Sequence, residues 1–286
     1  MEKTWLKHYP QGVPASIDVS QYPSLVALLE EAFKKHAALP AYRFMGHSFS
    51  FAQIDEASRA LAAYLQAQGL EKGDRVAVMM PNVPQYPVAI AAILRAGYVV
   101  VNVNPLYTPR ELEHQLKDSG AKVILIVENF AATLQKVMAA VPSQKVIVTA
   151  LGDMLGFPKR LIVNYVVRNV KKMVPVFEIP GAVGFNAALA EGRGKSLKPA
   201  QSGPDDIAVL QYTGGTTGVS KGAVLLHRNL VANVLQSEAW YQPALKKVPA
   251  GEQIATVCAL PIYHIFGFTA NVMLGMRMGS CNILIP

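Results

Sequence analysis

Twelve residues, Gln211 to Gly222, read QYTGGTTGVSKG and hold four glycines, three threonines and one lysine. Backbone N–H groups can close around an anion only where no side chain blocks the approach, so glycine dominates loops that cradle phosphate. Gly214, Gly215, Gly218 and Gly222 meet that demand. Thr213, Thr216 and Thr217 add hydroxyl donors for phosphoryl oxygens, and Lys221 adds a positive charge. A flexible surface loop would need neither the lysine nor the threonines in register. The order of residues excludes two common phosphate chemistries. A Walker A loop runs G-x-x-x-x-G-K-[ST], whereas here Ser220 precedes the lysine and Gly222 follows it. The dinucleotide pattern G-x-G-x-x-G is not met either. A second candidate is His264, in PIYHIFGF. A lone histidine in an apolar stretch is more often a satisfied core residue, and its own surroundings favour that reading.

The stretch YTGGTTGVSKG, followed by AVLLHRNL, resembles the signature loop of the adenylate-forming family of acyl-CoA synthetases, adenylation domains and luciferases. PNVPQYPVAIAAILRAGYVVVNVNPLYTPREL upstream and ALPIYHIFGFT downstream extend the resemblance over nearly the whole chain. The combination of YTGGTTG with YHIF is most similar to the bacterial long-chain fatty acyl-CoA synthetases. Gly214 stands where the wider family often has serine, and Ser220 where it often has proline.

What the resemblance implies is a two-step reaction. A fatty carboxylate attacks the α-phosphate of Mg-ATP, giving an acyl-adenylate and pyrophosphate, and the thiol of coenzyme A then displaces AMP. Charge building on the phosphoryl oxygens and the leaving group calls for preorganised donors and cations. By resemblance Thr213, Gly214, Gly215, Thr216, Thr217 and Gly218 would hold the β- and γ-phosphates, with Lys221 assisting. His264 falls between the acyl pocket and the phosphates, where it would orient the carboxylate. Tyr263 lies beside it, and Phe268 matches an aromatic gate on the acyl tunnel. No protein metal ligand is implied. ATP, Mg2+ and coenzyme A are the co-substrates and fatty acid the partner substrate. The family's adenine- and Mg-associated segment, ribose-binding aspartate, hinge and mobile C-terminal domain find no match. The 286 residues are therefore expected to be the N-terminal part of the AMP-binding domain, unable alone to complete either half-reaction.

The elements that must position these residues follow from apolar periodicity. SLVALLEEAFKKHA (24–37) is helical, AYRFMGHSFS (41–50) a hairpin turning at Gly46, and Ser50 with Gln53 opens a helix that Gly69 ends. Then DRVAVMM, YVVVNVN, AKVILIV and KVIVTA read as strands and PQYPVAIAAILRAG and FAATLQKVMAA as helices. Thr108, Pro109 and Glu111 supply an N-cap, an N1 proline and an N3 acid for a helix through Ser119. Val/Ile runs without polar alternation indicate strands buried on both faces, the pattern of an α/β fold with a doubly wound, largely parallel sheet. DIAVLQYT is a strand delivering the glycine loop, GAVLLH a strand after it and 228–240 a helix. QIATVCAL and CNILIP are strands flanking the helix IFGFTANVMLGMRMG. The sequence divides into a first α/β subdomain (1–185), a polar connector (186–206) and a phosphate-loop and acyl-pocket region (207–286).

Half the residues are hydrophobic and 16% are charged, so disorder is excluded. A formal charge of +8 suits an anionic partner, but Lys and Arg form no long run with interleaved aromatics, and nucleic acid is not the partner read. The N-terminus reads without a secretory signal, and a cytoplasmic location is expected. The apolar window 83–103 contains Arg95 and a helix-ending Gly97, so it reads as a buried helix and strand rather than a membrane span. Cys258 and Cys281 sit in apolar strands and read as small buried hydrophobes. In 158–175, Arg160, Asn164, Arg168 and Lys171/Lys172 recur at helical spacing among apolar residues. Such a basic stripe suits peripheral contact with the inner face of a membrane, or packing against this chain or a second copy as a homodimer. Two other functions stay open: an adenylating ligase for an aromatic or amino acid, and a non-catalytic phosphate-binding or membrane-associated module.

Overall fold

The computed structural model describes residues 3–141, 145–213, 219–249 and 251–286. The first regular helix, α1 (Leu25–Lys35), is capped by the Ser24 hydroxyl and buries Leu25, Leu28, Leu29, Ala32 and Phe33 along one stripe. β1 (Pro40–Phe44) and β2 (His47–Ser50) form the expected hairpin, and both turn residues, Met45 and Gly46, have positive φ. That is the backbone a two-residue turn between twisted strands requires. α2 (Phe51–Gln66) begins at the Ser50–Gln53 capping box.

The alternating unit follows: β3 (Arg75–Met79), α3 (Gln85–Arg95), β4 (Val99–Asn102), α4 (Pro109–Ser119), β5 (Val123–Val127), α5 (Ala131–Gln135) and β6 (Lys145–Thr149). α4 starts at the Thr108–Glu111 capping box with Pro109 in its first turn. α5 is shorter than its apolar pattern predicts, and turns follow it. α6 (Lys159–Tyr165) continues as a π turn over Val166–Val170. β7 (Val183–Gly184) leads into α7 (Phe185–Arg193), β8 (Ile207–Thr213), β9 (Lys221–Leu226) and α8 (His227–Leu245). β10 (Ala255–Cys258) comes next, then a helical run of α9 (Ile265–Gly267), a π turn (Phe268–Met273) and α10 (Leu274–Met278). β11 (Cys281–Leu284) follows α10.

Seven strands order as β7-β6-β5-β3-β4-β8-β9, all neighbours parallel except the final β8–β9 pair. Helices cover both faces. α2, α3 and α7 contribute to one large core, whereas α4 and α5 contribute Leu112, Leu116, Ala131 and Leu134 to a second core on the opposite face. This is the doubly wound α/β arrangement expected. A second sheet orders as β10-β11-β1-β2, in which β1 lies parallel to β11 with Tyr42 opposite Asn282. Strands from 1–185 and from 207–286 thus share both sheets, and the connector 186–206 carries most of α7.

The window 83–103 forms a fully buried helix and strand, and among the described residues no helix is long and apolar enough to cross a membrane. Cys258 and Cys281 are free and buried, and burial pushes the Cys258 thiol up to about 12. Of the polar positions expected to form a stripe over 158–175, Asn164 alone turns inward. Asn164 is buried, accepting from Gly152 N at 2.8 Å and donating to Asp153 at 3.1 Å. Arg168 donates to both carboxylate oxygens of Glu128, at the end of β5. Arg160, Arg168, Lys171 and Lys172 are exposed, so the basic residues of the stripe stand on the solvent side. Phe157, Leu161, Ile162, Tyr165, Val170 and Met173 are exposed beside them.

Candidate functional site

The β8–β9 hairpin carries the glycine loop. Its last register pair sets Thr213 opposite Lys221, with Tyr212 opposite Gly222 one step inside. The predicted phosphate ligands Gly214, Gly215, Thr216, Thr217 and Gly218 lie outside the described residues. Thr213 and Lys221 stand exposed on the two sides of the loop base, and Ser220 closes that base by donating its hydroxyl to the Thr213 carbonyl at 3.2 Å. Among the described residues no carboxylate pairs with Lys221, whose side chain is exposed.

Two side chains one turn apart on α4 fasten this hairpin. The His114 Nε2–H donates to the Ser220 carbonyl at 2.8 Å, and the Tyr212 hydroxyl donates to Asp118 at 2.5 Å. Burial and then the neighbouring Asp118 raise the Tyr212 phenol well above its ordinary value, so it stays a donor. A Cβ on Gly222 would come within 3.0 Å of the Tyr212 ring, so glycine there serves packing as well as the loop.

The second part of the site is the irregular stretch between β10 and α9, which ends on His264. His264 is exposed at the N-terminus of α9, and its Nδ1 accepts from Phe266 N at 3.3 Å. Phe268 is fully buried in the main core, and Tyr263 is half-buried with burial raising its phenol. The segment is tied to the large sheet by two buried amides. Asn82, just past β3, donates through Nδ2 to the Cys258 carbonyl (2.9 Å) and the Leu260 carbonyl (3.0 Å), and accepts from Ile262 N (2.9 Å). Gln211, on β8, donates to the Tyr263 carbonyl at 3.3 Å. Its Oε1 accepts from Asn102 at 3.0 Å, and Asn102 accepts from the buried Tyr86 hydroxyl at 2.7 Å.

β3 and β5 are neighbours whose following helices leave toward opposite faces, and α/β sheets open a ligand crevice at such a point. A cavity of about 520 Å³ lies there, lined by Pro81, Asn82, Leu106, Phe130, Val167 and Tyr263 among others. Its walls are mainly apolar, which suits a hydrophobic ligand. Phe268 is not among its lining residues. Sequence reasoning singled out Thr213, Lys221, Tyr263, His264 and Phe268, but missed Asn82, His114, Asp118 and Gln211. A signal existed for two of these. Asn82 is a polar residue at the carboxyl end of a parallel strand, and Gln211 interrupts an apolar strand. The α4 residues gave no local sign. Among the described residues no group of three or more His, Cys, Asp or Glu could hold a metal ion.

A model of the AMP-binding enzyme family matches residues 29–286. The long-chain-fatty-acid–CoA ligase of Salmonella typhimurium is 53% identical over 100% of this chain and 50% of its own length. That of Bacillus subtilis is 33% identical, with the same coverage of both chains. In fold, a long-chain-fatty-acid-CoA ligase from Archaeoglobus fulgidus superposes with a TM-score of 0.72 and 25% identity, covering 96% of this chain and 49% of its own. An anthranilate CoA ligase holding anthranoyl-AMP superposes with a TM-score of 0.75 at 21% identity, covering 94% of this chain and 47% of its own. The chain spans about half the length of the curated relatives it matches.

Proposed function

Because the chain belongs to the AMP-binding enzyme family, we propose that it is the N-terminal half of a long-chain-fatty-acid–CoA ligase. The observation that carries this reading is the identity of 53% to a ligase of that name along the entire chain. In this reading ATP, fatty acid and coenzyme A are the substrates, and Mg2+ arrives with ATP. The fatty carboxylate attacks the α-phosphate, pyrophosphate leaves, and coenzyme A then takes the acyl group from AMP.

The chain's own residues would divide that work. Thr213 and Lys221 flank the loop that receives the β- and γ-phosphates, where a fixed cation and donors stabilise the departing pyrophosphate without reorganisation. His264 would orient the carboxylate, and the apolar cavity beside Tyr263 has room for part of an acyl chain. Phe268 would act on the acyl path only through the packing it supports, since it is wholly buried. Thioester formation belongs to a protein of the relatives' length. The test is palmitate-dependent ATP–pyrophosphate exchange by the full-length protein, set against coumarate, benzoate and amino acids. Preference for an aromatic or amino acid would replace the fatty-acid reading with the alternative ligase, and nucleotide binding with no exchange for any acid would favour a non-catalytic module.

The same reading places the protein in the cytoplasm with peripheral contact at the membrane through 158–175. Support comes from the exposed apolar side of α6 and its π turn, rimmed by Arg160, Lys171 and Lys172. Apolar side chains with flanking cations suit an anionic bilayer surface. Replacing Leu161, Ile162 and Tyr165 by serine should abolish flotation with anionic liposomes. Loss of a dimer with unchanged flotation would reassign the face to a second copy.

A further inference from the structure

The stretch from Cys258 to His264 has almost no regular structure, yet several of its backbone groups have fixed partners. Asn82 holds the carbonyls of Cys258 and Leu260 and the amide of Ile262, Gln211 holds the carbonyl of Tyr263, and His264 N donates back to the Pro261 carbonyl at 3.1 Å. Buried backbone groups need partners, and here two side-chain amides from the large sheet supply what strand pairing cannot. Both are themselves buried. Behind Gln211 stands a chain of donors through Asn102 to Tyr86, which burial keeps protonated, so the orientation of the amide is fixed. The segment is also boxed in from the helix side, where a Cβ on Gly267 would come within 2.3 Å of the Pro261 carbonyl oxygen.

Gln211 lies two residues before Thr213 on the strand that leads into the glycine loop. Tyr263, whose carbonyl it holds, precedes His264. We propose that Asn82 and Gln211 are positioning residues that hold the Cys258–His264 segment in register with β8, so that the carboxylate end and the phosphate end of the reaction keep a fixed separation. The proposal rests on the functional reading above. Asn82 also borders the apolar cavity whereas Gln211 does not, and the role proposed for each is exerted through the backbone it clamps. Proximity effects are steep in distance, so a small slip of this segment should weaken carboxylate positioning before it weakens nucleotide binding.

Isosteric variants separate clamp from bulk. Asn82→Asp keeps the acceptor for Ile262 N but turns an oxygen toward the Cys258 and Leu260 carbonyls. Gln211→Glu keeps the acceptor for Asn102 but loses the donor to Tyr263. In the full-length protein, Asn82→Asp should raise the palmitate KM by about tenfold or more, from the loss of two buried donors. The ATP KM should stay within about twofold in that variant. Its deficit should shrink as pH falls, because the introduced carboxyl regains a donor once it is protonated. Gln211→Glu, on the strand that carries the loop, should raise both KM values. Equal changes in both KM values for Asn82→Asp, with no recovery at low pH, would overturn the proposal. Hydrogen exchange of the unmodified protein gives a test independent of activity: the Ile262 amide, which donates to Asn82, should be protected like those of β8. Exchange at the rate of a free loop would also overturn it. If the unmodified enzyme ignores palmitate but protects this segment, the functional reading fails and the clamp stands.

Discussion

Lys221 and His227 sit six residues apart and show opposite uses of a basic side chain. Lys221 is exposed beside the glycine loop, and we expect Lys221→Ala to lower kcat/KM for ATP by about ten- to a hundredfold in pyrophosphate exchange while the melting temperature stays unchanged. His227 is buried, and its Nδ1 accepts from Leu25 N at 3.1 Å, joining the start of α8 to the start of α1. Burial pushes its imidazole down to about 4, against a smaller upward pull from Asp206. The folded state therefore favours the neutral ring. The stability this contributes is complete above about pH 6.5 and is lost progressively as pH falls toward about 4, a change of up to about 3 kcal/mol. Melting temperatures from pH 7 to 4 should show the decline in the natural protein and a shallower one in His227→Asn, whose amide oxygen can accept from the same N–H. Parallel curves would remove His227 from the account.

Among elements, the joint of α1, α2 and α3 depends on Arg95, the one charge in the apolar window. Its side chain is 2% exposed; Nε donates to Glu30 of α1 at 2.6 Å, and the remaining nitrogens reach Asp55 and Ser58 of α2. The guanidinium also lies over the Phe33 ring, 4.6 Å from its centroid. Arg59 also pairs with both carboxylates and would remain beside them, so Arg95→Met should destabilise the chain by about 1–2 kcal/mol, measurable by urea denaturation. The limits of sequence reading show at this scale. Arg95 argued correctly against a membrane span, because a charge in a spanning helix is costly wherever it points. In α6 the polar positions 160, 164, 168 and 172 recur every four residues, and that period fits a solvated stripe and an inward polar side equally. Gly152 and Asp153 take Asn164 inward while Glu128 pairs with the exposed Arg168, and neither partnership shows in the spacing. Strands and caps were readable because alternation and capping boxes are local. The amides of Asn82 and Gln211 escaped notice because their partners lie 52 to 180 residues away.

For the whole molecule, shared sheets make the two ends of the chain interdependent. β1 and β2 belong to a sheet completed by β10 and β11, while β8 and β9 extend the sheet built by β3 to β7. Far- and near-ultraviolet circular dichroism should therefore melt in one coincident transition rather than two, and separated transitions would show independent units. The loop, the clamp and the cavity then behave as parts of one cooperative body.

The β1–β11 pairing also has a cost in time. Tyr42 pairs with Asn282, 240 residues later. At translation rates of about 5–20 residues per second, β1 waits on the order of 12 to 48 s before its parallel neighbour is synthesised. During that interval one edge of the β1–β2 hairpin is unsatisfied, in a chain half of whose residues are hydrophobic. Until β11 emerges, the β1–β2 hairpin therefore presents to other chains an edge that the finished fold covers.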